Sequence, residues 1–141
     1  MKRVYLIRNG VSLDEIRDFA DFIDGYPGRR FKVVYFEDSH DPETDLIQVE
    51  TLVRSCTRAL LFLGSDITSR SPYLDHEIRC AFVFGLKKFV LTLDEENYPA
   101  GLAKGVPITW RLDANTVFKA SEQNIVLGIL GIGQLKYINW P

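Results

Sequence analysis

The chain has 141 residues, 46% of them apolar and 26% charged, a composition that fits one globular domain with a single sizeable core. A formal net charge of −2 gives no basic excess, so a dedicated nucleic-acid binder is not expected. Two cysteines, Cys56 and Cys80, are too few for a disulfide framework and lack any CxxC or Cys/His metal spacing, so a reducing, cytoplasmic setting is expected.

The first segment, "MKRVYLIRNG", starts basic, but its apolar run spans only Val4 to Ile7, too short for the apolar region of a signal peptide. "RVYLI" (3–7) reads as a strand ending at the turn signal "RNG". Ser12 and Glu15 form a capping box, and Leu13, Ile16, Phe19, Ala20 and Ile23 recur at helical spacing behind it. "DGYPG" ends that helix, and "FKVVYF" (31–36) reads as the second strand.

Asp41 before Pro42 marks the next helix start, with Leu46, Val49, Leu52 and Val53 as its buried stripe. "RALLFLG" (58–64) is a near-continuous apolar strand, as expected where both faces are covered. Ser71-Pro72 opens a third helix whose core stripe is Leu74, Ile78, Ala81, Phe82 and Gly85, and "KFVLTL" (88–93) is a fourth strand. Further on, "PITWRL" (107–112) reads as a fifth strand and "SEQNIVLGILGIGQ" (121–134) as a glycine-weakened helix. The apolar run "IVLGILGI" is far short of a membrane span, and no membrane partner is expected.

This alternation predicts a single α/β domain over 1–141, a flavodoxin-like three-layer fold with a central parallel sheet of four to five strands and helices on both faces. In such sheets ligands bind at the carboxyl ends of the strands. "RNG", "EDSHDPE", "SDITSRSP" and "DEENYP" converge there. On the third helix, at about 100° per residue, Tyr73, Glu77 and Phe84 share one flank of the core stripe. Asp75, Arg79 and Lys87 point outward. His76 also falls on the outer side, where neither catalysis nor metal binding is expected of it.

The succession from "VYLIRNG" through "FEDSHDPETD", "LLFLGSDITSRSPYLDHE" and "IRCAFVFG" resembles a Toll/interleukin-1 receptor (TIR) domain of the bacterial TIR-like kind, most clearly over residues 3–98. The resemblance rests on a strand running into Ser65 and on an aromatic-x-x-x-Glu motif, here Tyr73 and Glu77. Two departures stand out: Tyr73 replaces the more usual Trp, and the first strand ends in "IRNG" in place of a Ser-rich turn.

Many TIR domains cleave NAD⁺ between nicotinamide and ribose through the motif glutamate, and some cyclise the ADP-ribose into an antiphage signal. Others are assembly scaffolds. The resemblance therefore implies Glu77 as the catalytic residue, with Arg8, Asn9, Ser65 and Tyr73 as candidate substrate-binding residues; Asp38, in the acidic loop after the second strand, is a further candidate by position. NAD⁺ would be substrate, with no cofactor and no metal, and self-association through TIR surfaces and a downstream sensor of the product are implied partners.

The chemistry suits one carboxylate. Hydrolysis of an O-glycoside generally needs a second acid for the departing alkoxide. Nicotinamide leaves NAD⁺ as a neutral molecule, so only the cationic ribose needs stabilising. Ordinary roles stand beside each assignment: Tyr73 as packing, "RNG" as a turn, Asp38 as solvated or capping, Ser65 as a loop hydrogen bond. Two alternatives remain open, a nucleoside 2-deoxyribosyltransferase-like enzyme and a non-catalytic interaction module using "EDSHDPETD" and outward helix faces such as Val83. A phosphoacceptor receiver is disfavoured because Asp66 alone is a poor Mg²⁺ site.

Overall fold

In a computed structural model, the described residues are 2–25, 31–39, 41–64, 66, 68–92 and 116–119. They form β1 (Lys2–Asn9), α1 (Leu13–Asp24), β2 (Phe31–Val34), α2 (Pro42–Arg54), β3 (Arg58–Leu63), α3 (Leu74–Val83), β4 (Lys87–Thr92) and β5 (Thr116–Lys119). All neighbouring strands pair parallel, in the order β2-β1-β3-β4-β5. This is the flavodoxin-like order, in which chain direction across the sheet reverses between β1 and β3. The expected parallel sheet is present. Its described fifth strand is 116–119, whereas "PITWRL" and "SEQNIVLGILGIGQ" lie outside the described residues.

The two-residue period of the strands divides the core into two layers. Val4 and Leu6 of β1 join Leu60 and Phe62 of β3 under α1, whose Ile16, Phe19, Ala20 and Ile23 complete that layer. Phe19 meets Phe62 edge-on at 5.0 Å between ring centres. Tyr5 and Ile7 face the other way with Ala59, Leu61 and Leu63, against Val49 and Val53 of α2 and Ile78, Cys80 and Ala81 of α3. Each fully buried aliphatic side chain contributes roughly 1.5–3 kcal/mol, so a strand buried on both faces has little freedom to shift register.

The helix ends follow local chemistry. Ser12 and Glu15 form the expected reciprocal capping box on α1. At the other end of α3, Gly85 adopts φ 69° and its N–H reaches Phe82 O at 3.1 Å, while Leu86 N–H reaches Ala81 O at 3.0 Å. That pair of bonds is a Schellman stop, so Gly85 ends the helix from an exposed position and does not sit in its core stripe. No helix among the described residues is long and apolar enough to cross a membrane.

At the carboxyl edge of the sheet the chain after β3 crosses the tip of β1. Gly64 N–H bonds to Asn9 O at 2.9 Å, and then Gly10 N–H bonds to Ser69 O at 2.7 Å and Ser71 N–H to Arg8 O at 3.2 Å. Asn9 and Arg70 form an antiparallel bridge. β2 stops pairing at Tyr5↔Val34, so residues 69–71 take up β1 hydrogen-bonding groups that β2 leaves open. Asp66 braces this crossing by accepting from Thr68 N–H at 3.0 Å and from the Thr68 and Ser69 hydroxyls at 2.7 and 2.8 Å.

Candidate functional site

Glu77 enters from the first turns of α3, and the structure buries it to 2% exposure. The helix starts at Leu74, two residues beyond Pro72, because Ser71 turns the chain first. Its hydroxyl accepts from Tyr73 N–H at 3.2 Å, and its carbonyl accepts from Leu74 N–H at 3.2 Å. A flank position on the α3 wheel thereby points down onto β1, where the alternation of the strand presents Tyr5. The Tyr5 hydroxyl donates to Glu77 Oε2 at 2.5 Å.

The second carboxyl oxygen, Oε1, is buried and makes no hydrogen bond of good geometry among the described residues. Burial pushes the Glu77 carboxyl up to about 7, while the Ser71 and Tyr5 hydroxyls and the Arg8 charge pull the other way. Tyr5 is shifted well upward in turn, first by burial and then by the negative charge of Glu77. Near neutral pH the site is thus a carboxyl close to balance between its two forms, beside a neutral phenol.

Tyr73 belongs to a second cluster. Its ring meets Phe36 edge-on at 5.7 Å, and its hydroxyl donates to Asp45 Oδ2 at 2.8 Å. Asp45, on α2, has no exposed surface and also accepts from the Ser39 hydroxyl and from Ser39 N–H, the latter at 3.3 Å. Burial alone would push Asp45 up; the bonds from Ser39 and Tyr73 outweigh that and hold it below the usual carboxylate range. Bonded to Asp45, the Tyr73 phenol is pushed up to about 12. The cluster ties the segment after β2 to the starts of α2 and α3.

The expected site residues therefore separate. Arg8, half-buried near the end of β1, lies close enough to favour a charged Glu77, and Asn9 is buried beside the Arg70 bridge. Asp38 is exposed and sits with Asp45 and Tyr73. Ser65 lies outside the described residues. Tyr5, Ser71 and Asp45 are polar participants that the sequence reading did not single out as a site. Asp45 carried a usable signal, since it precedes Val49 by one helical turn on the buried stripe.

No protein-family model, curated protein or solved structure matches the chain.

Proposed function

We propose that the chain is a cytoplasmic TIR-like NAD⁺ nucleosidase that breaks the nicotinamide–ribose bond, with Glu77 as its catalytic carboxylate. One observation carries this reading: Glu77 is gripped through one oxygen by Tyr5 while its other oxygen is buried with no hydrogen bond of good geometry among the described residues. Leaving such an atom unpaired costs about 1–3 kcal/mol, and a ribose hydroxyl is a donor able to relieve it. The same carboxylate, once ionised, would stabilise the positive charge that develops on the ribose as neutral nicotinamide departs.

Charge works in the same direction. Arg8 already favours the ionised carboxylate, and the pyridinium of NAD⁺ would add a second positive charge on arrival. NAD⁺ is substrate here, and the product is ADP-ribose in linear or cyclic form. At its present burial Glu77 is not open to solvent, so on this reading binding or self-association must uncover it.

A second reading, a non-catalytic interaction module, is favoured by two large apolar side chains left in solvent, Ile47 of α2 at 66% exposure and Val83 of α3 at 71%. The discriminating experiment incubates wild type and Glu77→Gln with NAD⁺ over a range of protein concentrations and follows free nicotinamide. Turnover by wild type and a fall of at least about 100-fold in the variant support the nucleosidase. Absence of nicotinamide from wild type at every concentration, or equal release by both proteins, overturns it. Release from deoxynucleosides in place of NAD⁺ would reassign the same carboxylate to deoxyribosyl transfer.

A further inference from the structure

On the α2-facing side of α3, three side chains of different chemistry converge. His76 and Cys80 are one turn apart on α3, and Glu50 reaches across from α2. His76 Nε2 lies 3.5 Å from Glu50 Oε1 and 3.7 Å from Cys80 Sγ, and the three potential ligand atoms all fall within 4.8 Å of one another. No other such grouping occurs among the described residues.

These spacings can be compared with metal geometry. Zn²⁺ bonds of about 2.3 Å to sulfur and about 2.0–2.2 Å to nitrogen and oxygen, at tetrahedral angles, set ligand atoms about 3.3–3.7 Å apart. The two separations from His76 match that edge length with the side chains where they stand, and Glu50 and Cys80 lie within 4.8 Å of each other. A purely structural trio needs no such equality, since a neutral imidazole has only one proton on Nε2 to share. That nitrogen also lies 3.3 Å from Leu46 O.

We propose that Glu50, His76 and Cys80 bind a divalent transition-metal ion of the Zn²⁺ class, which clips α2 to α3. Nitrogen, thiolate and carboxylate are the donors this ion takes, and hard oxygen-seeking ions such as Mg²⁺ and Ca²⁺ are poorly served by a thiol. His76 binds through the Nε2 lone pair with its proton moved to Nδ1, and the Cys80 thiol releases its proton to solvent, one per ion bound. Burial first, and then the charges of Glu50 and Glu77, hold the free Cys80 thiol up against the nearby Arg79 and Arg54, so the proton leaves on account of the ion. Three protein ligands leave the fourth position to water. Glu50 is exposed and His76 half-buried, which gives the ion a way in from solvent.

The site is separate from the reading of Glu77, which faces β1. Full-length protein freed of metal with EDTA and desalted under reducing conditions is titrated with Zn²⁺ by calorimetry and with Co²⁺ by absorption. One equivalent of each ion is expected, with a thiolate-to-Co²⁺ charge-transfer band and a rise in Tm on adding Zn²⁺. Cys80→Ser should abolish the band, Cys56→Ser should retain it, and Glu50→Gln, on an exposed position that folding tolerates, should weaken Zn²⁺ by about tenfold or more. Lack of stoichiometric binding, a band that survives Cys80→Ser, or Zn²⁺ affinity unchanged in both Glu50→Gln and His76→Gln overturns the site.

Discussion

Tyr5 and Glu77 are 72 residues apart in the chain, yet the phenol donates to the carboxyl at 2.5 Å inside the layer between the sheet and α3. A bond of this kind is worth more when its acceptor is ionised. Tyr5→Phe removes that donor, and Oε1 has no hydrogen bond of good geometry among the described residues to compensate. The variant should lose about 1–3 kcal/mol of stability at pH 8 and less at pH 5, where the neutral carboxyl needs its partner less. Urea unfolding at the two pH values measures this, and an equal loss at both would show that the bond does not depend on the charge of Glu77.

The upward shift of Glu77 also sets a pH dependence of folding. Its ordinary value is 4.5 and its value in the fold about 7, so between those limits the folded state binds more protons than the unfolded one. Stability therefore falls as pH rises from 4.5 through about 7 and levels off above that. The difference amounts to about 3 kcal/mol as an upper figure, at roughly 1.36 kcal/mol per pH unit. Tyr5 and Cys80 are shifted upward and remain neutral across this window. Glu77→Gln should be flatter over pH 5–8 than wild type in EDTA buffer and should be the more stable protein at pH 8. A steeper profile in the variant would contradict the shift. A stable Gln variant also means that any loss of nicotinamide release is not a folding defect.

The layered core was legible from local patterns. The stripe of α1 follows the helical repeat. The unbroken apolar runs of β1 and β3 mark strands covered on both faces, whose backbone repeat of two then sends Val4/Leu6 and Tyr5/Ile7 to opposite layers. What the repeats do not carry is which side chain stands opposite. On the α3 wheel Glu77 reads as a flank residue. It is buried because β1 happens to present Tyr5 beneath it, and that is a fact of strand order and register. The same holds for Glu50, which reaches His76 and Cys80 from another helix; only the one-turn spacing of His76 and Cys80 is visible in the sequence. Asp45 is the opposite case: its place on the stripe is visible in the sequence, although a helix acid is most often solvated.

Asp45 itself supports a third prediction. It holds Ser39 and Tyr73 together, so Asp45→Ala strands a hydroxyl, a phenol and a backbone N–H near the start of α2. The Tm should fall by roughly 5 °C or more, with amide exchange accelerating over residues 35–39 before the core strands. Tyr73→Phe removes a single bond and should cost less. The double variant should fall short of the sum, because both changes break the same contact. Strict additivity would mean that the Tyr73–Asp45 bond contributes nothing.

Two glycines with the same backbone twist allow steric closeness to be separated from conformational preference. Gly10 and Gly85 have φ of 78° and 69°. A Cβ at Gly85 meets nothing within 4 Å, whereas one at Gly10 would come within 2.2 Å of Gly64 O, at the crossing of the β3 loop over the β1 tip. Gly85→Ala should therefore cost only the left-handed conformation, about 1 kcal/mol. Gly10→Ala must in addition push backbone away from backbone and should cost about 3 kcal/mol or more. Because residues 69–71 hang from Arg8 and Gly10, that displacement should also loosen the segment carrying Ser71 above Glu77. Denaturant unfolding of the two variants side by side is the check, and equal losses would mean that the Gly10–Gly64 approach relaxes without strain.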